Sequence, residues 1–128
     1  MGHQQYFLAI LGVVIVGIAI AVAVTIFHAN AIESSRNALT NDLLYFASRA
    51  RATYWRPLSL GGADRDFSRI SFRSLSTMNE NPNGRYYIES SSSDLLTIVG
   101  VGRVTSNDDS VRVRVQVDER HNTIQIVN

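Results

Sequence analysis

Hydrophobic and polar positions divide the chain into three stretches of different period. From Tyr6 to Phe27 nearly every residue is apolar, YFLAILGVVIVGIAIAVAVTIF, with Gly12, Gly17 and Thr25 as the only interruptions. The run is far too long for one strand, and a helix of this length rises roughly 33 Å, about the hydrocarbon thickness of a bilayer. Residues 28–56 contain no Pro or Gly and take up a helical period. Ile32, Leu39, Leu43, Phe46, Ala50 and Tyr54 fall on one face, the face expected to pack against the rest of the chain. Pro57 disfavours helix at the residue before it, and Gly61-Gly62 follow, so the helix is expected to stop near Arg56. An unbroken helix over both stretches has about 54 residues and a length of roughly 80 Å. Its apolar half needs lipid or copies of itself around it.

Beyond residue 57 the pattern changes again. Residues 57–69, PLSLGGADRDFSR, are expected to form a loop. Ile70–Leu75 suggests a short strand, and Arg85–Glu89 and Leu95–Val104 are β-rich runs separated by the polar turn Ser90–Asp94. Val111, Val113, Val115 and Val117 alternate with Arg112, Arg114 and Gln116, the mark of a half-buried strand. After a turn at Asp118–Asn122, Thr123–Val127 would place Ile124 and Ile126 on the same face as those valines. The expected fold class is α+β: a long N-terminal helix packed on an antiparallel meander of about four strands. Residues 1–27 form the membrane or filament-core half-helix, 28–56 the amphipathic half-helix and 57–128 the loop and β head. Exposed loops are expected at 57–69, 76–84 and 105–110, and Tyr45, Phe46, Tyr54 and Trp55 are expected in the head core.

Composition removes several chemistries. The 128 residues include no Cys, so neither disulfides nor thiolate sites are available. The 12 basic residues are all Arg and nearly balance 11 acidic ones, so net charge gives no strong pull towards acidic partners. No hydrolase or phosphate-loop motif is present, and the Gly pairs at 61–62 and 100/102 lack the strand–loop–helix setting of a nucleotide site. His3, His28 and His121 are scattered, and Asp64-x-Asp66 and Asp108-Asp109 fit loop solvation better than Ca²⁺ ligation. No cofactor or metal is expected, and no enzymatic activity. Arg103, Arg112, Arg114 and Arg120 would gather into a basic surface on the meander. Without interleaved aromatics such a surface suits a solvated or subunit-pairing face, meeting acids such as Glu33, Asp42 or Glu89 of neighbours, better than nucleic acid. Ser90–Ser93 is a polar, tip-like run, and the chain has no Asn-x-Ser/Thr sequon.

The stretch MGHQQYFLAILGVVIVGIAIAVAV, followed by an amphipathic half-helix and a short antiparallel sheet, resembles the type IV pilins and pseudopilins. That resemblance implies a structural subunit of an extracellular pilus-like filament. Apolar half-helices would bundle in its core and heads would tile its outside. It implies self as the main partner, storage in the inner membrane before assembly, and pilus assembly machinery. A prepilin peptidase would remove a leader after a Gly, and the new N-terminus is often methylated. If Met1 is the mature N-terminus, a leader has already gone; if it is the initiator, cleavage after Gly2 would leave His3 first. The sequence departs from the family at the fifth position, where Gln5 stands in place of the usual Glu, and it lacks both the helix-interrupting Pro and the C-terminal Cys pair. The assembly surface implied is Met1, His3, Gln4, Gln5, Tyr6, Phe7, Leu8, Leu11, Val14, Ile15, Ile18 and Val22. The competing expectations are a single-pass envelope protein whose β head binds a partner, and a secretion-system pseudopilin. A cleaved signal peptide is disfavoured because MGHQQ carries no Arg or Lys and the apolar run is long for one.

Overall fold

A computed structural model describes residues 2–75 and 77–128. A single helix, α1, runs Gly2–Trp55, and five strands follow: β1 Glu80–Asn81, β2 Gly84–Ser91, β3 Leu96–Ser106, β4 Asp109–Val117 and β5 Asn122–Ile126. The strands pair antiparallel in sequence order, β1-β2-β3-β4-β5, as a meander. The α+β class therefore holds, with five strands rather than about four. The chain divides into two compact units, residues 1–31 and 32–128, and only the second has a core.

Within the second unit, α1 buries Leu39, Leu43, Phe46, Ala47, Ala50 and Tyr54, with Ile32 partly buried. These positions recur at three and four residues, so one stripe faces the sheet while Asn37, Asn41 and Ser48 stay exposed. The sheet answers with period two. Val111, Val113, Val115 and Val117 are buried on β4. Their partners across the β3 ladder include Gly100, Ile98 and Leu96, and Ile124 of β5 packs at the margin opposite Val115. Fully burying one such side chain contributes roughly 1.5–3 kcal/mol, so this shared face is the main source of stability.

Two glycines set how close the helix comes. Gly100 and Gly102 lie two apart on β3 and so point to the same face. A Cβ on Gly100 would lie 2.8 Å from the Tyr86 ring and 3.4 Å from Leu39, and one on Gly102 would lie 2.7 Å from Ser35 Oγ and 3.3 Å from Leu39. The missing side chains leave a channel on the sheet. Leu39 fills it from the helix and Tyr86 lies across it from β2. Phe46 closes the arrangement edge-on to Tyr86, with ring centroids 4.8 Å apart.

The end of α1 is held by the chain that follows it. The last carbonyls of a helix have no intrahelical donor. Here Ala63 N–H donates to Thr53 O (2.9 Å), Arg65 N–H to Tyr54 O (2.7 Å) and Asp64 N–H to Arg56 O (3.0 Å). Reaching those carbonyls puts Asp64 and Arg65 at φ 50° and 61°, an uncommon conformation for side-chain-bearing residues. Residues 57–69 are thus no open loop. They contain two short 3-10 turns, Leu58–Leu60 and Phe67–Arg69, and bury Ala63 and Phe67. Phe67 stacks on Tyr54 at 4.3 Å.

Other expectations are corrected. Ile70–Leu75 forms turns rather than a strand, because Ile70 and Leu75 both point into the core instead of alternating. The expected loop 76–84 contains β1, joined to β2 through Pro82-Asn83, with Asn81 opposite Gly84. In 105–110 only Asn107 and Asp108 lie outside the strands, as a two-residue hairpin with φ 52° and 63°. Ser90 and Ser91 continue β2 past a bulge after Ile88, which narrows the turn expected at 90–94. Tyr45 and Trp55 are half-exposed, 52% and 48%, because they point away from the stripe that holds Phe46 and Tyr54.

Because the helix comes this close, Gly100→Val should destabilise the folded head by about 1–3 kcal/mol through overpacking against Tyr86 and Leu39. Thr105→Ala, at an exposed position of the same strand, should stay within about 0.5 kcal/mol of the unaltered protein. Urea unfolding of the full chain in detergent, followed by near-UV circular dichroism, measures both. Equal midpoints for Gly100→Val and the unaltered protein would show that the channel is not needed.

Candidate assembly surface

In residues 2–31 every described side chain from Gly2 to Asn30 is exposed. The large apolar ones include Phe7 at 79% and Ile18 at 61%. This helix is long and apolar enough to cross a membrane, with a mean hydropathy of 3.1 over its most apolar window and none of that window buried within the chain. Such a surface is not left in water by a stable protein, so lipid or protein must cover it.

His3, Gln4 and Gln5 occupy the first turns of α1 and are exposed, and the helix has no acidic residue in its first turn. Met1 lies outside the described residues. Tyr6, Phe7, Leu8, Leu11, Val14, Ile15, Ile18 and Val22 are exposed along the helix, and apolar exposure continues beyond them. Ile10, Val13, Val16, Ile20, Val24, Ile26 and Phe27, which were not singled out from the sequence, carry as much exposed apolar surface on the remaining circumference. The signal for them was present: a run with no polar period has no polar side. Two features give this cylinder relief. A Cβ at Gly12 or Gly17 would meet no atom within 4 Å, so both positions are open notches. Shallow apolar grooves lie beside Ala9, lined by Ile10, Val13 and Val14, and between Phe7, Leu11 and Val14. Thr25, the one aliphatic hydroxyl of the run, donates to Ala21 O (3.0 Å) one turn back and so has no free donor.

The arginines expected to form a basic surface are distributed among acids of the same chain. Arg114 Nε lies 2.8 Å from Glu89 and Arg103 Nη2 3.3 Å from Glu80. Arg103 also donates to the Pro82 and Asn81 carbonyls. Arg112 is 3.8 Å from Asp109, and Arg120 is 3.7 Å from Glu119. Each positive charge is therefore matched locally, which cancels the field a phosphate backbone would need. Glu89, expected to meet a neighbouring subunit, is engaged at home for the same reason. The pairs are largely exposed and contribute little to stability.

A part-buried polar cluster, not foreseen from the sequence, gathers at Asp42. Asp42, in mid-helix, accepts hydrogen bonds from the Tyr86 hydroxyl and from the side-chain amides of Asn81 and Asn83, both at 3.0 Å. Burial works against ionisation of Asp42, but the donors of Tyr86, Asn83 and Asn81 together outweigh it and hold its carboxyl below the usual range. Burial, with the Asp42 acceptor and its charge, pushes the Tyr86 hydroxyl well above its ordinary value of 10.0. At neutral pH neither group exchanges a proton, so the cluster acts as a tie between helix and hairpin. A second acid, Asp118, accepts the backbone N–H groups of His121 and Arg120 and is held below its usual range by them. It lines an open depression of about 330 Å³ with Tyr54, Asp94, Glu119, Arg120 and His121. Among the described residues no group of three or more His, Asp or Glu converges where a metal ion would sit.

The tie gives the head a defined pH response. Tyr86 binds its proton more tightly folded than unfolded, so its contribution is complete below about pH 10 and declines as pH rises above that value. Asp42 binds its proton less tightly folded, so its contribution is complete above about pH 4 and is lost as pH falls through the folded value. Chemical denaturation across pH should show a steeper alkaline loss for the unaltered head than for Tyr86→Phe. Asp42→Asn should flatten the acid limb. Parallel curves for the unaltered protein and Tyr86→Phe would remove Tyr86 from the tie.

No protein-family model, curated protein or solved structure matches this chain, so its function is argued from the apolar helix surface and the head alone.

Proposed function

We propose that the protein is a structural subunit of an extracellular, type IV pilus-like filament that polymerises through residues 1–27. The observation that supports this reading is the apolar half of α1, which is exposed around its whole circumference and notched at Gly12 and Gly17. A helix that is apolar all round requires a fully apolar environment. A membrane supplies one before assembly, and a bundle of identical helices supplies another afterwards. Small residues at the notches would let backbones approach, as they do where helices pack in lipid. In this reading the head remains outside the bundle, self is the partner, assembly machinery moves subunits out of the inner membrane, and no catalysis is required.

A single charge on this helix should prevent assembly. Val14→Asp or Ile18→Asp would place a carboxylate among the packed helices, at a cost of several kcal/mol where it is unpaired, against about 1.5–3 kcal/mol for each apolar side chain buried. Electron microscopy of material sheared from intact cells, with mass spectrometry of its main band, should find filaments made of the unaltered chain and none from either variant. Immunoblots of membranes should still detect both variants, which separates failed assembly from failed synthesis. Abundant filaments from either variant would refute bundling through this helix. Absence of filaments from the unaltered chain, with the protein staying monomeric in detergent, would make it a single-pass anchor for its β head.

A further inference from the structure

The turn between β1 and β2 carries the sequence Asn81-Pro82-Asn83-Gly84, which includes the only Asn-Gly step in the chain. Both residues of that step are demanded by the fold. A Cβ on Gly84 would lie 2.2 Å from the Val101 carbonyl oxygen, and its φ of 158° lies at the edge of the range that side chains avoid. Asn83 supplies one of the donors that hold Asp42. Asn-Gly is also the dipeptide most open to intramolecular attack, because glycine places no side chain in the way of its own nitrogen.

The reaction balances without any co-reactant except water. The Gly84 backbone nitrogen attacks Cγ of Asn83 and its proton passes to a solvent base. The new N–Cγ bond closes a five-membered succinimide, and the Cγ–Nδ2 bond breaks with release of ammonia. Water then opens the ring at either carbonyl, leaving aspartate or isoaspartate at position 83.

We propose that Asn83 is a deamidation site restrained by the folded head, and that its modification detaches the β1–β2 hairpin from α1. Two contacts provide the restraint. The leaving amide Nδ2 is bound to Asp42 at 3.0 Å, and the attacking Gly84 N–H is bound to Asn81 Oδ1 at 3.2 Å. Asn81 Oδ1 also takes the Asn83 N–H at 2.9 Å, so the turn must open before ring closure. Asn83 itself is exposed, which leaves water and base free to reach it once the turn opens. The product cannot restore the tie. A carboxylate at position 83 meets the Asp42 carboxylate with no donor between them, and both are charged at neutral pH. Isoaspartate additionally lengthens the main chain by one atom where Asn81 and Gly84 stand opposite each other, disturbing the register of β1. The inference is independent of whether the chain polymerises.

The test incubates the full chain in detergent at mildly alkaline pH, folded and in parallel unfolded in urea. Trypsin then cuts after Arg73 and Arg85, and the peptide 74–85 is followed by mass for conversion of amide to acid. Folded protein should deamidate on the order of tenfold more slowly than unfolded, a factor that corresponds to local opening of the turn. Asp42→Ala should bring the folded rate towards the unfolded one. If that variant does not fold, the comparison passes to Asn83→Asp, which should lower the thermal midpoint, and to Asp42→Asn/Asn83→Asp, which restores one carboxylate and one amide and should recover most of the loss. Equal rates in folded and unfolded protein would overturn the restraint. An Asn83→Asp head as stable as the original, or a double variant no better than the single, would overturn the detachment.

Discussion

The head depends on how closely α1 lies against β3. An antiparallel meander with one apolar face needs a cover, and a single helix is narrow for five strands. The glycines at 100 and 102 solve part of this by lowering the sheet surface beneath the helix, so that Leu39 descends into the channel and Tyr86 folds across it. Once Tyr86 lies flat, its hydroxyl emerges beside the helix at Asp42, and Asp42 then gathers Asn81 and Asn83. Packing thus determines where the polar tie forms, and the tie in turn keeps a two-residue edge strand, β1, in place. A larger residue at 100 would disturb all three layers of this arrangement, not only the contact it touches.

Those relations explain which parts of the fold were legible in the sequence. Elements whose signal is local and repeated were visible: the long helix, its stop before Pro57, and the Val-x-Val alternation of β4. Ile32, Leu39, Leu43, Phe46, Ala50 and Tyr54 needed only a helical period. What stayed hidden rests on contacts between residues distant in sequence. β1 has two residues and no alternation to display. Gly100 and Gly102 were weighed only as a glycine pair without the setting of a nucleotide site, because their purpose lies in Leu39, some sixty residues earlier, and the Asp42 cluster joins a helix to a hairpin about forty residues away. Phe67 and Ala63 sit among Gly, Pro and Asp, so their segment looked like solvent-exposed loop while it serves to cap the helix. The arginines misled for a related reason. The neighbouring Arg112 and Arg114 of β4 were plain, but the paired acids stand on β2 (Glu89), on β1 (Glu80), at the start of β4 (Asp109) and in the β4–β5 turn (Glu119).

The two units have opposite relations to solvent. Residues 32–128 bury a core of their own and carry all 12 arginines and all 11 acids, whereas residues 2–31 have no core and no Asp, Glu, Lys or Arg. A lipid tail and a leucine side chain are equally apolar, so a helix of this kind gains little hydrophobic energy by leaving lipid for a bundle. Its preference between the two must come from shape, hydrogen bonding and close packing. The shape available is the pair of glycine notches and the grooves between Phe7 and Val14. The hydrogen-bonding groups available are the side chains of His3, Gln4, Gln5 and Tyr6 at its start and of His28 and Asn30 at its end, since Thr25 is satisfied within the helix.

This narrows where specificity between copies would reside. A neutral Gln5 places no ion in an apolar bundle, so it avoids the large desolvation cost of a buried carboxylate and also forgoes the directional strength of an ion pair. A head with 12 basic and 11 acidic residues is nearly neutral and adds little long-range attraction to a neighbour. With both electrostatic devices weakened, register between copies of the helix would be set chiefly by steric fit along the notched apolar surface. Steric fit of this kind tolerates exchanges among Val, Ile and Leu that preserve volume, yet it fails when a notch is filled or a charge introduced. That asymmetry separates packing against defined neighbours from solution in lipid, where filling a glycine notch with a methyl group would cost nothing.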